Sequence, residues 1–165
     1  MGKLVVVKGD PVSGTDKHNV SGQATNPTPP PPTVPYTGVG DFAYDGAVTG
    51  QLSDFVSIDG VPVALVSSRS TLNEGEDSPP AGKHSGPKGS SFVPPTPVPV
   101  ATSLSITDTP LGTGVPNGGA GSGLLTFDGV KVLLDADKID TCSGVGAQAG
   151  SSVAAQGQDF VTCSV

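Results

Sequence analysis

Four side chains are the first candidates for chemistry, because they are the only histidines and cysteines of the chain: His18, His84, Cys142 and Cys163. Each lies in a polar stretch at the end of an extended segment. Two imidazoles and two thiolates would complete the tetrahedral shell of a structural zinc ion. The sequence therefore predicts a zinc site held by these four residues. Two alternatives stay open, namely a disulfide between Cys142 and Cys163, or unpaired thiols with exposed histidines.

Other chemistry that these residue types could perform finds less support. A nucleophilic pair such as Cys142 with His84 lacks an orienting third group and a nucleophile signature. Asp135, Asp137 and Asp140 are spaced like part of a calcium loop, but an EF-hand requires glycine at the sixth position, where this chain has Asp140. We therefore expect a solvated loop there, and we predict no catalytic residue and no enzymatic activity.

Two hairpins of similar sequence must position the candidate ligands. The stretches 55–69 and 124–142 align on the dipeptides Asp59-Gly60 and Asp128-Gly129. Asp-Gly is preferred in a two-residue type I′ turn, because both central residues must tolerate positive φ. The sequence thus predicts a repeated hairpin whose outgoing strand leads to a polar loop that is suited to bind a metal.

The rest of the chain contains short extended segments and turns. No window shows sustained helical periodicity, since glycine and proline interrupt every candidate helix. We expect an all-β chain that forms one domain over residues 1–165. Its predicted parts are a first strand at 3–8, a polar turn at 16–20, a proline-rich linker or wall at 26–35, a loose stretch at 36–50, and a last short hairpin that turns at Gln156-Gly157.

Composition narrows the classes of partner. The chain has 165 residues with 24 Gly, 17 Pro and 4% aromatic residues, so it can bury only a thin core. Its net charge is −7 and it has no basic stripe that could bind nucleic acid. No apolar run reaches the roughly 20 residues of a membrane helix. The apolar run at 4–7 is too short for a signal peptide, which favours synthesis in the cytosol and argues against a disulfide.

The two hairpins carry a sequence pattern of small residues, then V-x-x-D-G-x-P-V-A, then a polar loop with Asp and Cys. It is clearest at 56–65 and at 125–142, and Gly9-Asp10-Pro11 followed by His18 looks like a histidine-bearing opening. This pattern resembles the PAAR-repeat family, the pointed tip proteins of type VI secretion systems and related contractile injection machines. Two departures are the segment 62–65, which replaces the Pro-Ala-Ala-Arg tetrapeptide, and the ligand set, because family members typically use three His and one Cys.

The resemblance implies a small conical domain of short β-hairpins with pseudo-three-fold repeats and long Pro/Gly-rich loops. It implies a non-enzymatic structural tip that caps and sharpens the trimeric central spike and helps to puncture the target envelope, with one structural zinc near the apex. The implied partners are one spike trimer per tip, effector cargo and, transiently, the target membrane, without nucleic acid or homo-oligomers. The chain would be assembled in the bacterial cytoplasm and delivered out of the cell or into the target.

An alternative function from another class is an extracellular adhesin or surface β-domain, stapled by a Cys142–Cys163 disulfide. For the tip, an apolar wide end is expected to bind the spike, because the hairpins carry more aliphatic surface than a thin domain can enclose. The expected exposed residues are Val56, Val63, Leu65, Leu125, Val132 and Leu134.

Overall fold

The computed structural model describes residues 2–73, 89–95, 103–108, 112–141, 145 and 150–163. Every regular element among them is a β-strand, which confirms the all-β prediction, and none of these residues forms a helix able to span a membrane. The strands are β1 (Lys3–Leu4), β2 (Pro11–Thr25), β3 (Thr33–Gly50), β4 (Ser57–Ile58), β5 (Val61–Pro62), β6 (Arg69–Leu72), β7 (Ser90–Val93), β8 (Ser103–Ile106), β9 (Thr113–Pro116), β10 (Thr126–Phe127), β11 (Val130–Lys131), β12 (Lys138–Asp140), β13 (Ser151–Val153) and β14 (Thr162–Cys163).

Three short apolar segments at 5–7, 63–65 and 132–134 form the centre of the fold, and we call them the core segments. Their middle residues close a cycle of three backbone hydrogen bonds. Val6 N donates to Leu133 O at 3.0 Å, Leu133 N donates to Ala64 O at 3.0 Å, and Ala64 N donates to Val6 O at 2.9 Å. In addition, the first residue of each segment bridges to the last residue of another. The three segments are therefore related by an approximate three-fold axis.

The core segments form a plate with two apolar faces, because successive side chains of an extended segment point to opposite sides. The middle residues Val6, Ala64 and Leu133 pack into one cluster with strands of the main sheet. The flanking residues fill a second cluster on the other face, and all of them are buried: Val5, Val7, Val63, Leu65, Val132 and Leu134. Four residues that were expected to be exposed thus lie in the core instead, because the plate buries both faces of each segment.

Each core segment follows a two-stranded pair. The hairpins β4–β5 and β10–β11 turn at the two Asp-Gly dipeptides, where Asp59 and Asp128 both have φ of 50° and the glycines have φ of 80° and 77°. This is the predicted turn geometry. The third pair, β1–β14, joins the two ends of the chain, with Lys3 opposite Cys163. The structure therefore contains a third repeat, which begins near the C-terminal end and continues at residue 2.

Six strands of the main sheet close into a ring beyond the plate. Their order is β3, β6, β9, β12, β13 and β2, and the pairing of β2 with β3 completes the circle. The predicted last hairpin at Gln156-Gly157 is wrong, since β13 pairs with β12 and β2 whereas β14 pairs with β1. Closure leaves the ring itself without an open edge, which limits pairing with other chains.

One repeat extends past the ring as a long hairpin. The strands β2 and β3 pair continuously from Pro11 opposite Ala47 to Thr25 opposite Thr33. We call residues 15–25 and 33–43, together with the flanking strands β7 and β8, the arm. Its own apolar cluster contains Val20, Ala24, Tyr36, Phe42 and Ile106. The stretch 16–20 was expected to be a polar turn, but it lies within β2. The stretch 36–50 was expected to be a loose segment, but it lies within β3.

Candidate functional site

The three hairpin pairs and the loops leading to them cover the plate on the face opposite the ring. We call this region, residues 2–4, 51–62, 117–131 and 154–163, the base. Three of the five large apolar side chains that are exposed in the described residues lie there: Phe55 at 68%, Leu124 at 73% and Phe160 at 58%. Several exposed apolar side chains in one surface region mark an interface more often than a single exposed leucine does.

These three side chains, which we call the anchors, occupy equivalent positions in the three repeats. Each directly precedes a residue whose carbonyl accepts a hydrogen bond from the first N–H of a core segment, at 3.0, 3.1 and 3.0 Å. Those carbonyls belong to Val56, Leu125 and Val161. Because the hydrogen bonds correspond one to one, the approximate three-fold axis of the plate also relates the anchors.

Polar side chains fix the loops that present the anchors. Ser53 Oγ accepts from Val56 N at 3.1 Å, and Ser122 Oγ accepts from the N–H groups of residues 124 and 125 at 3.0 and 2.9 Å. In the third repeat, Gln158 Oε1 accepts from Val161 N at 2.7 Å. A rigid loop loses less conformational freedom on binding, so these bonds prepare the anchors for a partner.

Neighbouring repeats also contact each other at the base. The rings of Phe55 and Phe127 meet edge to face, with centroids 6.4 Å apart and an interplanar angle of 79°. One junction further round, Ser122 Oγ lies 3.1 Å from Cys163 Sγ. At these two junctions the repeats of the base contact each other through side chains.

Three short side chains close the tight turns that follow the core segments: Asp10, Ser68 and Asp137. Each accepts a hydrogen bond from the backbone N–H three residues before it, at 2.8, 2.9 and 2.8 Å. Asp10 accepts more hydrogen bonds than the other two, because its second carboxylate oxygen also accepts from the N–H groups of Gln156 and Gly157. These turns send the chain from the plate into the ring.

The acidic stretch after the third core segment was expected to be a solvated loop, and that interpretation is wrong. Asp137 Oδ2 accepts from Leu134 N and Gly121 N, both at 2.8 Å, and Asp135 Oδ1 accepts from Ala155 N at 2.9 Å. The carboxylates satisfy backbone N–H groups that the tight turn leaves without partners in the sheet. Their role is structural.

His18 lies in the arm, fully buried between two carboxylates. Its Nδ1 is 3.0 Å from Asp108 Oδ2, which also accepts from Asn19 N at 2.9 Å. Its Nε2 is 3.0 Å from Asp16 Oδ2, close enough for a charge contact. Both ring nitrogens of His18 are therefore flanked by a buried carboxylate group.

Tyr44 lies between the ring and this buried group. Its hydroxyl donates to Gly112 O at 3.3 Å and lies 3.1 Å from Ser70 Oγ. Burial raises the pKa of Tyr44 to about 12, with a smaller increase from the charge of Asp16 and an opposing decrease from the Ser70 hydrogen bond. The phenol is therefore held in its neutral form across the physiological range.

Of the four predicted zinc ligands, the structure describes His18 and Cys163, whereas His84 and Cys142 lie outside the described residues. Cys163 is in the base, packed against the apolar cluster of the plate. Val12 belongs to the cluster on the other face of the plate, and His18 is six residues further along β2, which is roughly 20 Å at about 3.3 Å per residue. The fold does not bring the two together.

His18 by itself has one property of a metal-binding histidine. Such residues usually have a carboxylate beside their second ring nitrogen, and here Nδ1 lies 3.0 Å from Asp108 Oδ2. In the part of the chain that the structure describes, no group of three or more His, Cys, Asp or Glu residues is arranged to hold a metal ion.

The anchors were not identified from the sequence, although a signal for them exists. Aligning the hairpins on their Asp-Gly turns places Phe55 opposite Leu124. The third member, Phe160, has no such turn after it, because its hairpin is split between the two ends of the chain. Comparison of the chain with protein-family models, curated proteins and solved structures finds no match.

Proposed function

We propose that this protein is a non-enzymatic tip that caps the three-fold end of a trimeric spike in a contractile injection apparatus. One copy of the chain would sit on one spike trimer through the base. The arm, on the far side of the ring, would point away from the spike and lead the assembly into the target envelope. In this proposal the chain is made in the bacterial cytoplasm and leaves the cell with the particle.

The observation that carries the proposal is the three-fold arrangement of the plate and its anchors within a single chain. Internal three-fold symmetry allows a single polypeptide to present equivalent contacts to three identical subunits at once. The cycle through Val6, Leu133 and Ala64 provides the axis, and the anchors lie around it. The resemblance of the hairpins to PAAR repeats supports the same partner.

The asymmetry of the arm supports the same orientation. Among the residues that the structure describes, one repeat extends past the ring as a long hairpin, and this hairpin has no three-fold counterpart there to offer to a trimer. The base does offer three equivalent surfaces, and it exposes one large apolar side chain from each repeat. An interface that survives mechanical ejection would have to bury on the order of 1,000 Å² or more, with anchors seated in pockets of the partner.

Native mass spectrometry of the chain co-expressed with a trimeric spike protein from the same genome tests the proposal. We expect a complex of one tip and three spike chains. Serine at all three anchors (Phe55→Ser, Leu124→Ser and Phe160→Ser) should abolish it, because the anchors supply most of the apolar contact. The matched control is Val93→Ser, which removes an apolar side chain of 63% exposure from β7 in the arm.

The outcomes are distinct. A wild-type chain that stays monomeric beside an intact spike trimer, or that forms a symmetric homotrimer alone, contradicts the proposal. Loss of the complex in the Val93→Ser control would place the contact on the arm instead of the base.

A further inference from the structure

The base is acidic around its apolar anchors. Its described segments carry four carboxylates and two ammonium groups, and the carboxylates all belong to exposed residues. The acidic residues are Asp54, Asp59, Asp128 and Asp159, and the basic ones are Lys3 and Lys131. Lys3 already lies 3.9 Å from Asp137, a carboxylate outside the base, so it offsets the negative charge of the base only in part.

The four carboxylates, which we call the acidic rim, flank the anchors in a regular way. Asp54 and Asp159 directly precede the anchors Phe55 and Phe160 in two repeats. The other two are the first residues of the Asp-Gly turns, which project from the hairpins β4–β5 and β10–β11. Every repeat therefore places at least one carboxylate next to its anchor or at its hairpin turn, and the charges surround the apolar surface.

This distribution restricts the surface that can cover the base. An apolar surface alone would bring the exposed carboxylates close to low-dielectric protein without a compensating charge, which is unfavourable. An acidic partner would add like-charge repulsion, which costs several kcal/mol in an interface. A partner with cations around its apolar pockets would avoid both costs and would also be attracted from a distance.

We infer that the base recognises a homotrimer whose docking end has three apolar pockets surrounded by lysine or arginine side chains. This inference rests on the proposed function and specifies the partner's chemistry. The anchors supply the contact that slows dissociation, and the acidic rim accelerates association and selects against acidic trimers. Exposed rim charges act mainly on the association rate and its salt dependence.

Stopped-flow association with the trimeric spike protein tests the inference. The variant Asp59→Asn with Asp128→Asn removes two rim charges and preserves the turns, because asparagine tolerates positive φ as well as aspartate. The control, Asp41→Asn with Asp45→Asn, changes net charge by the same amount on β3, outside the base. At about 20 mM salt the rim variant should associate roughly threefold to tenfold more slowly than wild type, and the control less than twofold.

Raising the salt to about 1 M should remove the difference, since the Debye length falls to about 3 Å. If the wild-type chain forms a 1:3 complex but both variants associate equally, or the rim variant associates faster, the inference is overturned while the proposed function stands. If no 1:3 complex forms with wild type, the proposed function itself fails, and the inference with it.

Discussion

The base and the arm use the same kind of strand for different purposes. In the base, three copies of a short unit surround one axis, and each copy is too small to bury its own apolar residues. In the arm, one pair of strands extends further than any other pair that the structure describes, and it is held by its own cluster around Phe42 and by the buried group at His18. The base repeats a short unit that exposes an apolar anchor, whereas the arm is one long hairpin with Asp16, His18 and Asp108 buried in its interior.

The difference indicates how stability is distributed. Base and ring depend on each other, because the core segments contribute side chains to both faces of the plate. The arm has an apolar cluster of its own, separate from those of the plate, so we expect it to open locally without disturbing the plate. Regions with separate clusters commonly unfold as separate units.

The largest effect should come from His18→Leu, which we expect to destabilise the arm without destabilising the base. The change removes the imidazole ring that lies between the buried Asp16 and Asp108, and breaking a buried group of this kind typically costs about 3–5 kcal/mol. We expect hydrogen exchange to rise in the arm while the core segments stay protected. Val93→Ser, on the same arm but exposed, serves as the control. Equal loss of protection in the plate would contradict the separation of the two regions.

A second test compares two turns that are equivalent by symmetry but whose closing side chains, Asp10 and Ser68, form different numbers of hydrogen bonds. Asp10→Ala leaves three backbone N–H groups without an acceptor, so we expect a loss of about 3 kcal/mol in the free energy of unfolding. Ser68→Ala removes one accepted bond, from Leu65 N, and one donated bond, to Gln51 O, and should cost about 1 kcal/mol. Urea denaturation measures both. Equal costs would mean that the third repeat, which Asp10 closes, is no more dependent on its turn than the others.

The third prediction concerns pH. Because the folded-state pKa of Tyr44, about 12, lies above the unfolded value of 10.0, its stabilisation is fully present below pH 10 and is lost as the pH rises through 12. A shift of this size corresponds to about 2.7 kcal/mol. Wild type should therefore lose stability more steeply than Tyr44→Phe between these pH values. Parallel pH profiles for the two proteins would contradict the prediction.

The smallest effect is expected for Cys163→Ser. The thiol contacts Ser122 in the base, far from His18, so we expect a change of less than about 1 kcal/mol and no change in metal content. The zinc prediction requires about one zinc per chain in wild type, and elemental analysis of protein purified without chelator should find the same content in this variant. A metal-free wild type, or a Cys142–Cys163 disulfide in the mass spectrum, would contradict the zinc prediction.

The sequence by itself determined the local features of the fold. Glycine and proline excluded helices, and the two Asp-Gly dipeptides fixed hairpins at Asp59 and Asp128, because few other residues adopt positive φ at low cost. The alternation of polar and apolar residues around those turns also identified the repeat. These features depend on neighbours within a few positions, which a sequence displays directly.

Only the tertiary structure decided which residues meet across the chain. The third repeat was hidden because its hairpin is formed by β1 and β14, so no turn marks it in the sequence. The polar stretch around His18 was expected to be a turn, but it is part of a strand, and its alternate residues Asp16 and His18 face an interior that also contains Asp108. The anchors Phe55, Leu124 and Phe160 are exposed because the three-fold plate buries the aliphatic residues next to them. Pairing between distant segments determined each of these outcomes, and local sequence patterns do not specify that pairing.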